Sequence, residues 1–137
     1  MKPTSVLKCL LILLLFTAMS CRESIMDQTL SLNKEVSVRL NQLYTSENGQ
    51  YSMKLTEIND SRCPENANCI WSGEVMLKGE WTEKGSKSTL ELHSVLSAQQ
   101  ISPDGYTIKI VDTKPFPKIG TETKTEDFII TLLIQKK

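Results

Sequence analysis

From residue 35 to the C-terminus, apolar positions recur with a period of two and not of 3.6. Val36, Val38 and Leu40 alternate with Ser37, Arg39 and Asn41, and the phase then slips at Leu43, which predicts a bulge. Ser46-Glu47-Asn48-Gly49 follows, and Asn-Gly between alternating runs is the strongest short hairpin signal. Tyr51, Met53 and Leu55 resume the alternation, so the first two strands are expected to form an antiparallel hairpin. Val75, Leu77, Gly79 and Trp81 share one face of a third strand, and Glu83-Lys84-Gly85-Ser86 makes a turn. Leu90 and Leu92 mark a fourth strand, with His93 on its other face. Ser102-Pro103-Asp104-Gly105 is a turn by composition, and Tyr106, Ile108 and Ile110 form a fifth alternating run. The segment 128–134 is apolar on both faces, which places it inside a sheet or sandwich. Only the short stretch 92–101 has any helical character, and an irregular connection is expected there. The pattern predicts an all-β fold, an antiparallel sandwich or small barrel of about six or seven strands around one modest core.

The N-terminus follows another rule. Lys2 and Lys8 precede the apolar run 10–16, and small or modest residues then lead to Cys21. This is the layout of a secretory signal, whose apolar region runs about 7–15 residues. The run falls short of the roughly 20 residues of a bilayer span. Ala18-Met19-Ser20-Cys21 resembles a bacterial lipobox. That resemblance implies cleavage after Ser20 and acylation of Cys21, with palmitate-type chains holding the new N-terminus in a membrane. Two or more acyl chains make such attachment stable, at about 0.8 kcal/mol per buried methylene. A retained signal anchor and a plain secreted protein cut near Ser20 are the competing readings. The chain thus divides into a lipoprotein signal peptide (1–20), a polar tether (21–34) and a β-sandwich domain (35–137). The tether contains no Gly or Pro, and Ile25, Leu30 and Leu32 are placed either to join the first strand or to dock on the domain. Arg22 and Glu23 follow the cysteine without the Asp that marks inner-membrane retention in the enterobacterial scheme, so the resemblance favours the outer membrane and leaves the leaflet open.

Charge and composition narrow the function. The chain has 16 Lys+Arg, 16 Asp+Glu and one His. Removal of Lys2 and Lys8 with the leader leaves fourteen bases against sixteen acids, about −2. Such a surface argues against nucleic acid as a partner, which calls for a basic stripe. A single histidine removes most metal-hydrolase constellations. No Walker loop, G-x-G-x-x-G or G-x-S-x-G occurs, and no cofactor or metal site is expected. Carboxylates are plentiful, and a glycosidase needs only two. However, Glu57, Glu80, Glu91 and Asp104 fall at solvent-side strand positions or in turns. The stretch 114–124 reads as a mobile polar loop, and His93 as a surface imidazole.

Of four cysteines, Cys9 leaves with the leader and Cys21 is the lipid site. Cys63 and Cys69 remain, and such a pair in an exported protein normally oxidises. A bridge around Pro64-Glu65-Asn66-Ala67-Asn68 contributes about 2–3 kcal/mol on the chain-entropy account and staples the second and third strands. The spacing is not the C-x-x-C of a thiol oxidoreductase. Nor does it supply four zinc ligands. A soft copper(I) site with His93 and Met53 or Met76 would need the pair reduced.

Asp60-Ser61-Arg62-Cys63-Pro64, four residues, Cys69, then Trp71 and Gly73-Glu74 resembles a D-S-R-C-P-x4-C-x-W-x-G motif. It is the motif of a group of small exported bacterial proteins, many of them lipoproteins, with no assigned activity. Tyr106 and the run Val111-Asp112-Thr113-Lys114-Pro115-Phe116-Pro117-Lys118-Ile119-Gly120 resemble the same group's strand ending in a Pro-aromatic-Pro turn. The resemblance covers roughly 35–137 and implies an all-β domain with a disulfide, but no chemistry. Read physically, Asp60 and Ser61 cap a turn, Arg62 pairs with Asp60 or with an acid across the sheet, Pro64 fixes a corner, and Trp71 lies over the disulfide or the sandwich's end. Beside this constructional role, Arg62, Glu65, Asn66, Asn68 and Trp71 form a candidate recognition patch, since loops on a rigid sheet often carry binding. The expected protein is a non-enzymatic, lipid-anchored envelope module with an envelope protein or glycan as its ligand. The alternatives are an envelope carbohydrate hydrolase using two carboxylates and a protease inhibitor presenting the 63–69 loop.

Overall fold

The computed structural model describes residues 28–97, 99–101 and 104–137, so Cys21 and the signal peptide lie outside the described residues. Among the described residues nine strands form two sheets. They are β1 (Thr29–Leu30), β2 (Glu35–Val38), β3 (Leu43–Ser46), β4 (Tyr51–Asp60), β5 (Val75–Glu83), β6 (Ser86–His93), β7 (Gln99–Gln100), β8 (Tyr106–Lys114) and β9 (Ile129–Lys136). One sheet has the order β1-β3-β4-β5-β6 and the other β2-β9-β8-β7. All pairings are antiparallel except β1 with β3. Seven strands reach four residues or more, and β1 and β7 are two-residue edge pieces. The chain is all-β, in keeping with a sandwich, and the only helical element among the described residues is a 3-10 turn at Thr125–Asp127.

Alternating residues of both sheets meet in a single core. Met53, Leu55, Leu77, Trp81, Leu90 and Leu92 come from the larger sheet; Val38, Ile108, Ile130, Leu132 and Ile134 come from the smaller. Such interdigitating inner faces are what holds two stacked sheets together. β9 lies between β2 and β8, as its apolar sequence predicts, though its second face is only half covered: Leu133 is half-buried and Ile129 exposed. The β5–β6 turn needs left-handed backbone at two residues, and Lys84 and Gly85 supply it with φ of 49° and 81°.

Two expectations change. The phase slip near Leu43 is a change of sheet and not a bulge. β2 pairs with β9, the chain turns at Asn41 with φ of 62°, and β3 then pairs with β4 in the other sheet. The predicted hairpin is therefore β3–β4 alone. The domain also begins before residue 35. Leu30 is in the core, β1 pairs with β3, and Leu32 bridges to Ile134. Residues 29–34 of the expected tether thus dock on the domain. The connection after His93 is irregular, as expected, through Ser97.

The strands set two ends. One carries the β3–β4 and β5–β6 turns and the C-terminus; Lys84 there is ion-paired to Asp104, and the Lys137 amide donates to the Gly105 carbonyl. The other carries the β4–β5 loop (61–74) and the β8–β9 loop (115–128), which the following hydrogen bonds join.

Candidate functional site

β4 and β5 continue as two paired arms beyond the sheet. The Ser61 amide donates to the Glu74 carbonyl at 2.8 Å and the Cys63 amide to the Ser72 carbonyl at 2.9 Å. The Glu74 amide donates to Ser61 Oγ and the Arg62 amide to Asp60 Oδ1, both at 3.1 Å, which is the capping role read from the motif. Cys63 and Cys69 form a disulfide with their Cα atoms 5.9 Å apart. The Ala67 amide donates to the Pro64 carbonyl at 3.0 Å, closing the corner that proline begins.

Arg62 locks this loop to the other sheet. Its Nε donates to Asp60 Oδ1 at 2.8 Å and its Nη2 to Asp60 Oδ2 at 2.6 Å, a two-pronged pair whose side chains are only 12% and 9% exposed. Its remaining donors cross the sandwich to the carbonyls of Thr113 at 2.7 Å and Pro115 at 2.9 Å. The guanidinium carbon stands 4.1 Å from the centre of the Phe116 ring. Farther out, the Glu65 amide donates to the Pro117 carbonyl at 3.0 Å. The Ile119 amide donates to Asn66 Oδ1 at 2.8 Å, Asn66 Nδ2 donates back to the Ile119 carbonyl at 3.4 Å, and Lys118 pairs with Glu65 at 3.1 Å. The stretch 114–124, expected as a mobile polar loop, is thus pinned to the disulfide loop at several points. It follows a cis Lys114–Pro115 peptide.

The expected patch separates into two roles. Arg62 uses its donors inside the tip, while Glu65 and Asn66 bond to the β8–β9 loop and stay exposed. Asn68 and Trp71 face solvent. Trp71 does not lie over the disulfide or the sandwich's end; it is 80% exposed, and its neighbour Ile70 is 93% exposed. The β8–β9 loop adds Phe116 and Ile119, exposed by 42% and 64%. Sequence reading missed these two as surface residues. The stretch was read as a polar loop, and an aromatic and an isoleucine within a Pro- and Lys-rich run were the signal that could have marked them. The sum is a rigid tip carrying four large apolar side chains in water, an arrangement that marks an interaction surface.

Below the tip, His93 is held between Glu74 at 3.1 Å and Glu91 at 3.2 Å. Hydrogen bonds to Glu91 and then to Glu74 raise its pKa above the usual 6.5. A raised folded pKa stabilises the fold fully below about pH 6.5, and that contribution is lost as pH rises through the folded value. His93→Gln should therefore remove a stability increment seen at pH 5–6 and leave the pH 9 urea midpoint close to that of the parent protein. A difference independent of pH would contradict the charged clamp.

The opposite end holds a concavity of about 410 Å³, lined by Trp81, Glu83, Lys84, Ser86, Lys87, Ser88 and Asp104. Glu83 was read as a turn residue, yet it is buried in phase with Trp81. Its Oε1 has no hydrogen-bond partner, and Oε2 is 3.5 Å from the Trp81 Nε1. The hydrogen bond from Lys84, with its charge, holds the Asp104 carboxyl below its usual range. Behind them Tyr51 and Trp81 stack at 4.9 Å, and burial, helped by Tyr106 and Glu47, pushes the Tyr51 phenol up to about 12. Among the described residues no three His, Cys, Asp or Glu side chains converge as metal ligands.

Comparison with protein-family models, curated proteins and solved structures found no significant match. The geometry of the chain itself therefore carries the functional reading.

Proposed function

We propose that this is a lipid-anchored protein of the bacterial cell envelope, attached through Cys21 and by sorting resemblance at the outer membrane. It acts as a binding module through the disulfide-clamped tip, with no catalytic role. The observation that carries the reading is the tip itself. Ile70, Trp71, Phe116 and Ile119 stand in water on loops tied by a disulfide, a buried ion pair and cross-sheet hydrogen bonds. Holding such groups rigid costs solvation and earns nothing for the core, whereas a preorganised surface loses little entropy on binding.

The disulfide supports export, since such bridges persist in oxidising compartments. The carbohydrate-hydrolase alternative finds little support. Glu83 and Asp104 line one concavity, but Glu83 is buried in phase with Trp81 and Asp104 is ion-paired to Lys84. The family resemblance on 60–74 agrees with an exported lipoprotein.

Inhibition of lipoprotein signal peptidase with globomycin tests the anchor. A larger precursor should accumulate, and the mature N-terminus should carry an acylated Cys21. Unchanged processing and an unmodified residue 21 would remove the anchor from this account.

A further inference from the structure

The tip's occupant follows from where the chain enters the domain. β1 is parallel to β3, and β3 is antiparallel to β4, which runs toward the tip. β1 therefore runs away from the tip, and its N-terminal end faces it. The Gln28 carbonyl accepts from the Thr45 amide at 3.0 Å, and Thr45 stands opposite Ser52. Gln28 lies near the level of Met53, seven residues from the tip end of β4 at Asp60. The bulge after Leu55 takes one residue out of the ladder, so at about 3.3 Å per residue the span is roughly 20 Å. Seven residues also separate Cys21 from Gln28, and fully extended they reach roughly 23–25 Å. The lipid-bearing residue can thus reach the level of Asp60 and little beyond. The loop continues past Asp60 through the arms 61–63 and 72–74, roughly 10 Å farther out at strand rise. A domain anchored at Cys21 and standing on this end places Ile70 and Trp71 about that far below the anchoring cysteine. Apolar side chains of membrane-surface proteins occupy just such a depth, about 5–10 Å into the headgroup and acyl boundary.

We propose that the tip is a second membrane attachment: Ile70 and Trp71, flanked by Phe116 and Ile119, insert into the bilayer that holds the acyl chains of Cys21. This rests on the lipid-anchored reading above and names the partner of that same surface. The side chains suit it. Indole and aliphatic groups on a loop partition into the interface, where tryptophan is enriched. The charges of the tip are internally matched: Asp60 with Arg62, Glu65 with Lys118, Asp112 with Lys114. Glu122, Glu126 and Asp127 on the adjoining loop add negative charge beside Lys124. The surface therefore suits a zwitterionic bilayer and gains nothing from anionic lipid. Double attachment fixes the orientation of the sandwich and turns the opposite end, with the Glu83–Asp104 concavity, away from the membrane.

The two tryptophans make the test direct, because Trp81 is buried at 1% exposure and Trp71 is exposed. Native acylated protein is reconstituted into phosphatidylcholine liposomes with bromine on the acyl chains. Trp71 emission should shift to the blue and fall by at least about half, as expected for an indole at interfacial depth. Trp71→Phe, which leaves Trp81, should abolish the quenching. Protein that floats with the liposomes while Trp71 stays open to aqueous acrylamide overturns the proposal and leaves the anchor standing. Trp71 shielded from acrylamide but untouched by bromine assigns the surface to a protein, a second copy included, and also overturns it. Protein that does not float refutes the anchor and the proposal together.

Discussion

Arg62→Ala is expected to destabilise the protein by about 3–5 kcal/mol, the cost of breaking a buried ion pair from one side. The arginine is not valuable because it is charged. Taking two ions out of water consumes most of their attraction, and a well-packed apolar pair would serve as well. Its value lies in geometry. A single planar fork satisfies both oxygens of Asp60 and two carbonyls of the opposite sheet, at Thr113 and Pro115. Removal leaves the Asp60 carboxylate nearly buried with no cation beside it, and takes one donor from each of the Thr113 and Pro115 carbonyls. Three comparisons separate charge from shape. Arg62→Lys keeps the charge but not the fork, and should recover less than half of the loss. Asp60→Ala should cost nearly as much as Arg62→Ala. The double variant should cost far less than the sum, because neither partner is then stranded. Urea denaturation measures all four. An Arg62→Ala loss below about 1 kcal/mol, the range of exposed pairs, would mean that the pair contributes no more than a surface bridge. Hydrogen exchange adds a local reading: the Glu65 and Ile119 amides, bonded across the two loops, should lose protection before the core strands do.

This lock shows where sequence reading ends. The pairing of Arg62 with Asp60 was legible, because two residues of separation in a turn-forming run bring the side chains within reach. Its reach to residues 113 and 115 was not, since nothing local encodes which loop of the other sheet lies opposite. The same limit explains the first strand. A phase slip at Leu43 reads alike whether the chain bulges within one sheet or turns at Asn41 into another. Alternation reports which face is buried and is silent about the neighbour. Where pairing is local, as across Lys84-Gly85, turn chemistry points to the neighbour too, and the turn predicted at 83–86 joins β5 to β6. Glu83 was hidden differently. Its position keeps the phase of Val75, Leu77, Gly79 and Trp81, so the pattern called for burial. The charge argued for solvent, and the phase won. At Trp71 the reverse held. A large aromatic in a disulfide motif suggested cover for the bridge, and the residue instead faces water.

Gly73→Ala should open the tip. Glycine occupies this motif position for two separable reasons. Its φ is +68°, where an L side chain costs about 1–2 kcal/mol. A Cβ here would also lie 1.8 Å from the Ser61 carbonyl oxygen and 2.9 Å from the Arg62 Cα. Those are backbone atoms held by the Ser61–Glu74 and Cys63–Ser72 bonds, so relief requires the arms to part. Overpacking of this kind adds about 1–3 kcal/mol, for a total of about 2–5. Gly49→Ala is the control. Its φ is +67°, yet nothing lies within 4 Å of the added carbon, so it should show the backbone cost alone. Equal losses for the two variants would mean that the arms do not approach as closely as the structure has them. A larger loss at Gly73 has a consequence beyond stability. The arms that part are those that carry Ile70 and Trp71, so the variant should remain anchored through Cys21 while bromolipid quenching of Trp71 weakens. Stability and membrane depth would then fail together at a glycine that touches neither lipid nor ligand, because the tip binds by virtue of being held in shape.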